Sequence, residues 1–263
     1  MNVPHHKTHR RWLSGVGQHA ELIPDTWIPG AWVLSIGGAE QSHVNPAAPQ
    51  EIFYEYLRRT ANHLDLLGSP GTPLKVLHLG AGALTLARYL AATRPGSTQV
   101  AVDSERELLG FVTEVLPLPA ETNLQLIIAD ARDVVAGKLV RETFDAVILD
   151  VFAGADAPEH LRADEFHREI RRLLAPAGIS LVNVGDDPPF AFIRQQIRAM
   201  EETYRQVTVA GPQDLFELRA PGNFILMGTD TAWDGSRLDD LRGMGPHPGS
   251  VLSGVDLDDL RKP

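Results

Sequence analysis

From residue 74 onward the apolar positions alternate between two rhythms. Short runs of aliphatic and β-branched residues at 75–79, 98–103, 124–129, 144–150, 178–184, 206–210 and 223–229 have the length and content of strands. Between them apolar residues recur every three or four positions, which predicts helices at about 84–94, 104–115, 133–140, 161–174 and 189–203. In the fourth of these Leu161, Phe166, Ile170, Leu173 and Leu174 form the apolar stripe. Arg168, Arg171 and Arg172 fall on its solvated face, and His160 and His167 are placed on its surface. Strand–helix alternation of this kind implies an α/β core: a seven-stranded, mostly parallel sheet with helices on both faces.

The region before residue 74 has a different pattern. Residues 1–20 are polar and basic and are expected to be a flexible N-terminus. From Trp27 to Val44 apolar segments are broken by Gly37-Gly38, which predicts a small β-hairpin unit. Glu51 to Leu67 then carries Ile52, Phe53, Tyr56, Leu57, Leu64 and Leu67 at helical spacing. Gly68-Ser-Pro-Gly-Thr-Pro73 ends that helix. The expected organisation is a flexible 1–20, a small β and linker-helix domain at 21–73, an α/β domain at 74–230, and a Gly-, Pro- and Asp-rich tail at 231–263 with one short helix at most. A chain of 263 residues suits one full domain with an appendage. The formal net charge of −10 argues against nucleic acid or an anionic membrane as partner and suits a cationic ligand. Zero cysteines exclude disulfides, thiolate metal sites and thiol nucleophiles. No apolar run reaches the roughly 18 residues of a membrane helix, so a cytoplasmic location is expected.

Chemistry concentrates at the carboxyl ends of the predicted strands, where an open parallel sheet forms its binding crevice. The first strand runs into Gly80-Ala81-Gly82, a turn that lets backbone approach a ligand closely and points the next helix's N–H groups at it. The next strands end at Asp103, Asp130-Ala131 and Asp150. A single strand-end aspartate is often only a helix cap. Three beside a glycine turn point to an adenosine-shaped site. Asp103 would hold the ribose diol, Asp130 the adenine amino group, and Asp150 an amine or sulfonium at the reacting end. His78, inside the first strand, is read as a packed core histidine, and no metal site is expected.

These residues resemble the spermidine synthase family of aminopropyltransferases, in its divergent bacterial branch, over roughly residues 27–229. The resemblance implies a class I AdoMet-dependent transferase-type Rossmann fold with a small N-terminal β domain. It also implies a homodimer, and an aminopropyl transfer from decarboxylated AdoMet to an amine acceptor such as a polyamine. Ile36-Gly-Gly-Ala-Glu-Gln41 is similar to the family's ligand-contacting Leu-Asp-Gly-x-x-Gln, which carries Gln41 over. Phe53-Tyr54-Glu55 is similar to its Tyr-(His/Gln)-Glu, which makes Tyr54 and Glu55 substrate-binding candidates. Gly80-Ala-Gly82-Ala-Leu-Thr85 stands at the acidic glycine loop, with Ala83 where the family has aspartate. Asp150-Val-Phe-Ala-Gly-Ala-Asp156-Ala-Pro158 aligns with the family's Asp-Ser-x-Asp-Pro, so the resemblance gives Asp150 the proton-accepting role, while the second carboxylate is either gone or displaced three positions to Asp156. The residues gripping the nucleoside survive and those gripping two cationic amines are thinned out. Methyl transfer from AdoMet itself, or nucleoside binding without turnover, therefore stand beside aminopropyl transfer.

Overall fold

The computed structural model describes residues 7–140, 142–151, 164–217 and 220–261. The chain begins with an antiparallel meander of β1 (His9–Leu13), β2 (Gln18–Pro24), β3 (Trp32–Ile36) and β4 (Ala39–Val44), in that spatial order. Residues 9–20 therefore belong to a sheet and not to a flexible arm. Alternation places Leu13, Ala20 and Leu22 on one buried face, while Trp12 meets His19 edge to face across the strand pair on the other. The polar, basic composition that suggested disorder is the solvent face of these two strands.

Helix α1 (Glu55–Asp65) leads into β5 (Lys75–Leu79), α2 (Thr85–Thr93), β6 (Thr98–Asp103), α3 (Arg106–Val115), β7 (Asn123–Ile128), α4 (Ala131–Val135) and β8 (Phe144–Leu149). There follow α5 (Asp164–Arg172), β9 (Leu174–Asp186), α6 (Ala191–Thr203), β10 (Gln206–Pro212), α7 (Gln213–Phe216) and β11 (Gly222–Thr229). The chain closes with α8 (Gly235–Gly243), β12 (Gly249–Ser253) and α9 (Asp258–Arg261). The main sheet has eight strands in the order β12-β10-β11-β9-β8-β5-β6-β7. From β9 through β8, β5 and β6 to β7 the pairs are parallel, and β9–β11, β11–β10 and β10–β12 are antiparallel.

The eighth strand comes from the segment expected to be a tail. β12 pairs with β10 in register Thr208↔Ser253, and the same segment buries Trp233, Leu238, Leu241, Val251, Leu257 and Leu260. Its apolar residues are too sparse to show a period, but these six reach the core. His167 is also buried, with Nε2 3.0 Å from Gln196 Oε1, because α5 lays that face against α6. Arg168, Arg171 and Arg172 are exposed as expected.

The two sheets share one apolar cluster. Leu13, Ala20, Leu22, Trp32 and Leu34 of the meander pack with Ala83, Leu84 and Ala87 around α2 and with Leu108, Phe111 and Val112 of α3. Arg11 adds an ion pair to Glu114 at 2.9 Å and lies over the Phe111 ring. Leu22→Ala is accordingly expected to cost about 2–4 kcal/mol of the whole protein's stability. Urea unfolding of the variant should remain one transition. An early separate loss of the meander, with the main transition unmoved, would contradict this shared core.

Candidate functional site

The end of β5 sets the geometry of the site. Asp150 N–H donates to the Leu79 carbonyl at 2.8 Å and Gly80 N–H to the Val102 carbonyl at 2.9 Å, so the exits of β5, β6 and β8 meet at one point. Gly80 has φ +91°, and a Cβ there would lie 2.1 Å from the Asp150 carbonyl oxygen. Only glycine fits both the conformation and the contact. Gly82 (φ +49°) and Leu84 (φ +60°) continue the bend into the first turn of α2.

Around this bend lies a cavity of about 710 Å³. Of the residues singled out in the sequence, Gln41, Gly80, Ala81, Gly82, Asp103, Asp130, Ala131 and Asp150 all line it. Asp103 is anchored by the bend and by the next helix, accepting from Ala81 N–H at 3.2 Å and Glu105 N–H at 2.9 Å. Burial nevertheless raises its pKa above the usual carboxylate value, against the lowering by those two bonds. Asp130 caps α4, accepting from Arg132 N–H at 2.7 Å, and still faces the cavity, so it is a cap and a wall residue at once. Asp150 accepts from Asn183 Nδ2 at 2.8 Å, and burial lifts its pKa to about 6 in spite of that bond.

Gln41 arrives from β4, which is tied to α2 by side chains. Thr85 Oγ1 donates to the His43 carbonyl at 3.0 Å and lies 3.2 Å from Ser42 Oγ. The meander thereby supplies the wall opposite the strand ends, with Val16, Gln18, Leu34 and Ile36 beside Gln41.

Two candidates are not brought to the cavity wall. Tyr54 donates its hydroxyl to Glu40 at 2.7 Å, and Glu55 is exposed at the first turn of α1, 3.4 Å from Arg59. The tyrosine on the wall is Tyr56, one helical step round α1, whose hydroxyl donates to the Gln41 carbonyl at 3.2 Å. Burial, and then the charge of Asp150, raise the Tyr56 pKa well above its ordinary value. In the sequence Tyr56 reads only as part of the apolar stripe of α1, and the tertiary packing of that helix brings it to the same cavity wall as Asp150. Glu105 is a further wall residue that the sequence did not single out, with its pKa raised chiefly by burial. Ala83 is fully buried in the apolar cluster and is not on the wall. His78 is buried with Nε2 2.9 Å from Gln99 Oε1, and burial drops its pKa to about 4, as befits a neutral core histidine. Asp156 lies outside the described residues.

No family model matches the chain. The human methyltransferase-like protein 13, in complex with SAH, shares the fold, with a TM-score of 0.61 at 19% identity over 80% of this chain and 94% of that one. The shared architecture is a mostly parallel α/β sheet, which in this chain carries an N-terminal antiparallel sheet. A probable spermidine synthase from Corynebacterium glutamicum is much nearer, with a TM-score of 0.87 at 27% identity over 97% of this chain and 93% of that one. The polyamine aminopropyltransferase of Chromobacterium violaceum is 28% identical over 132 residues, which are 49% of this chain and 50% of that protein. The chain thus spans about half the length of that curated relative. Within that fold the chain is similar to proteins named spermidine synthase and polyamine aminopropyltransferase. Among the described residues no helix is long and apolar enough to cross a membrane.

The raised pKa of Asp150 has a consequence for stability. A carboxyl whose folded pKa of about 6 exceeds its unfolded value binds its proton more tightly in the fold. The contribution of this group to stability is therefore fully present below the unfolded pKa of 3.8 and is lost as pH rises through about 6, an amount of order 2–3 kcal/mol. Asp150→Asn is expected to raise the melting temperature at pH 8, and the gain should vanish near pH 4. An unchanged or lower melting temperature at pH 8 would remove the claim that this charge is held against the fold's preference. Gly80→Ala is expected to destabilise by several kcal/mol, or to fail to fold, because the new Cβ meets backbone rather than a mobile side chain. A fully stable alanine variant, seen by thermal melting, would show that the bend relaxes.

Proposed function

We propose that the cavity binds decarboxylated AdoMet and that the protein transfers its aminopropyl group to a small amine. One observation carries this reading. The described cavity wall holds four carboxylates, from Asp103, Glu105, Asp130 and Asp150, and no lysine or arginine, while its one histidine is neutral at pH 7. Such a wall favours a ligand bearing positive charge and disfavours a carboxylate. Decarboxylated AdoMet carries a sulfonium and an ammonium, whereas AdoMet adds the carboxylate for which the described wall offers no cationic side chain. Ala83, which stands where the family's loop has aspartate, packs in the apolar cluster and lies off the cavity wall. The names of the relatives above agree with aminopropyl transfer.

In this reading Asp103 and Asp130 hold the ribose and adenine, with Gln41 and the Gly80–Gly82 backbone closing round the thioadenosine. The amine nitrogen attacks the carbon next to the sulfonium, the C–S bond breaks, and methylthioadenosine leaves as a neutral thioether. The new ammonium gives up one proton to Asp150, which returns it to solvent. Since the sulfonium is already a good leaving group, the protein's contribution is proximity and a fixed negative charge beside the nucleophile. Asp150 must be ionised for this role, so the rate should rise with pH through about 6.

Turnover is tested by methylthioadenosine release from decarboxylated AdoMet with putrescine, cadaverine and spermidine as acceptors, beside release of S-adenosylhomocysteine from AdoMet. The expected result is methylthioadenosine only, with kcat reduced about 10²–10⁴-fold in Asp150→Asn and methylthioadenosine affinity within twofold of the original. A full rate in Asp150→Asn, or no product with any of the amines, would end the proposal. S-adenosylhomocysteine as the only product would replace it with methyl transfer.

A further inference from the structure

Successive side chains of β9 alternate between the two faces of the sheet, and Ile179 and Leu181 bury themselves in the apolar cluster that also receives α1. The next residue on that face is Asn183, where the pattern asks for another aliphatic side chain. The register of β8 and β9 sets Leu149 beside Val182, so Asp150 and Asn183 occupy the rung beyond, where β8 leaves the sheet. Asn183 Nδ2 donates to Asp150 Oδ1 at 2.8 Å, while Asn183 Oδ1 is buried and has no hydrogen-bond partner among the described residues. A buried acceptor without a partner costs stability that a leucine of similar shape would not. The amide has only one sensible orientation here. Turned over, its oxygen would face the carboxylate and repel it.

We propose that Asn183 is a positioning residue for Asp150: its amide holds one carboxylate oxygen at the end of the sheet and so presents the other to the attacking amine. The idea rests on the aminopropyltransferase reading of the cavity, which gives Asp150 its work. The surroundings explain why an amide is needed. Tyr56 from α1 keeps its proton, His78 on β5 is neutral, and Asp103 and Asp130 on the same wall are carboxylates. Asp186, further along β9, is turned to the Ile193 N–H at 2.8 Å. Among the described groups that face Asp150 none is a cation, so the Asn183 dipole is what offsets the burial of its charge. The same hydrogen bond lowers the proton affinity that burial raises.

The test compares wild type with Asn183→Leu and Asn183→Ala, the second guarding against a leucine that does not pack. Three quantities are read in each: the Asp150 carboxyl titration by ¹³C NMR, assigned from its loss in Asp150→Asn; methylthioadenosine affinity by calorimetry; and the pH profile of kcat. The expected outcome is an Asp150 midpoint raised by about one pH unit and a kcat lower by roughly 10–100-fold. The acidic limb should move with the midpoint, methylthioadenosine affinity should stay within twofold, and the leucine variant should melt no lower than wild type. A midpoint that stays in place in both variants, or a kcat that does, overturns the proposal. The NMR titration needs no turnover. A wild type that binds methylthioadenosine but transfers nothing would therefore defeat the transferase reading, while a shifted midpoint in the same sample would still support the hold of Asn183 on Asp150.

Discussion

The site depends on one close approach of backbone to backbone, where Gly80 at the exit of β5 touches the carbonyl of Asp150 at the exit of β8. With no Cβ and a left-handed φ, Gly80 lets two central strands end side by side and turn away in different directions. The bend it starts supplies the Ala81 N–H that fixes the Asp103 carboxylate. The same contact leaves the side chain of Asp150 directed into the space the bend encloses. A bulkier residue at position 80 would push these strand ends apart and disperse the carboxylates.

Burial then decides what those carboxylates can do. Asp103, Glu105 and Asp150 all have raised proton affinities, with desolvation as the largest cause in each. Gathering acids on a half-buried wall with no cationic side chain among its described residues works against stability. In the proposed reading a doubly cationic ligand would relieve that tension and so couple ligand binding to fold stability. Polar atoms near Asp150 extend the pattern: an amide where β9 would take an aliphatic residue, and a phenol on the apolar stripe of α1.

The N-terminal meander is part of the same core. Its apolar face and the faces of α2 and α3 form one cluster, and the Thr85 hydroxyl pins β4 beside the first turn of α2. Gln41 is held opposite the strand-end carboxylates by this packing, at a sequence distance that no local interaction could bridge. The cavity is thus a seam between two sheets that bury one another.

Much of the core was legible from the sequence. β5, β6, β8 and β11 have dense apolar runs between glycines and polar residues, and they lie within one residue of their expected bounds. The glycine turn and the strand-end aspartates were legible too, because in a parallel sheet topology alone sends every strand end to one edge. The N-terminal strands and β12 were not, since their apolar residues are few and become meaningful only against a distant partner. Tyr54 and Glu55 were read onto the site from a local motif, whereas the rotation of α1 on the sheet turned Tyr56 inward instead. Asn183 gave no signal at all in the sequence, because its meaning lies in the rung it shares with Asp150. Local periodicity and turn chemistry are properties of neighbouring residues, and the sequence by itself determined those. Which side chain faces the cavity, and how burial shifts its proton affinity, depends on contacts between segments far apart in the chain, and only the tertiary structure decided that.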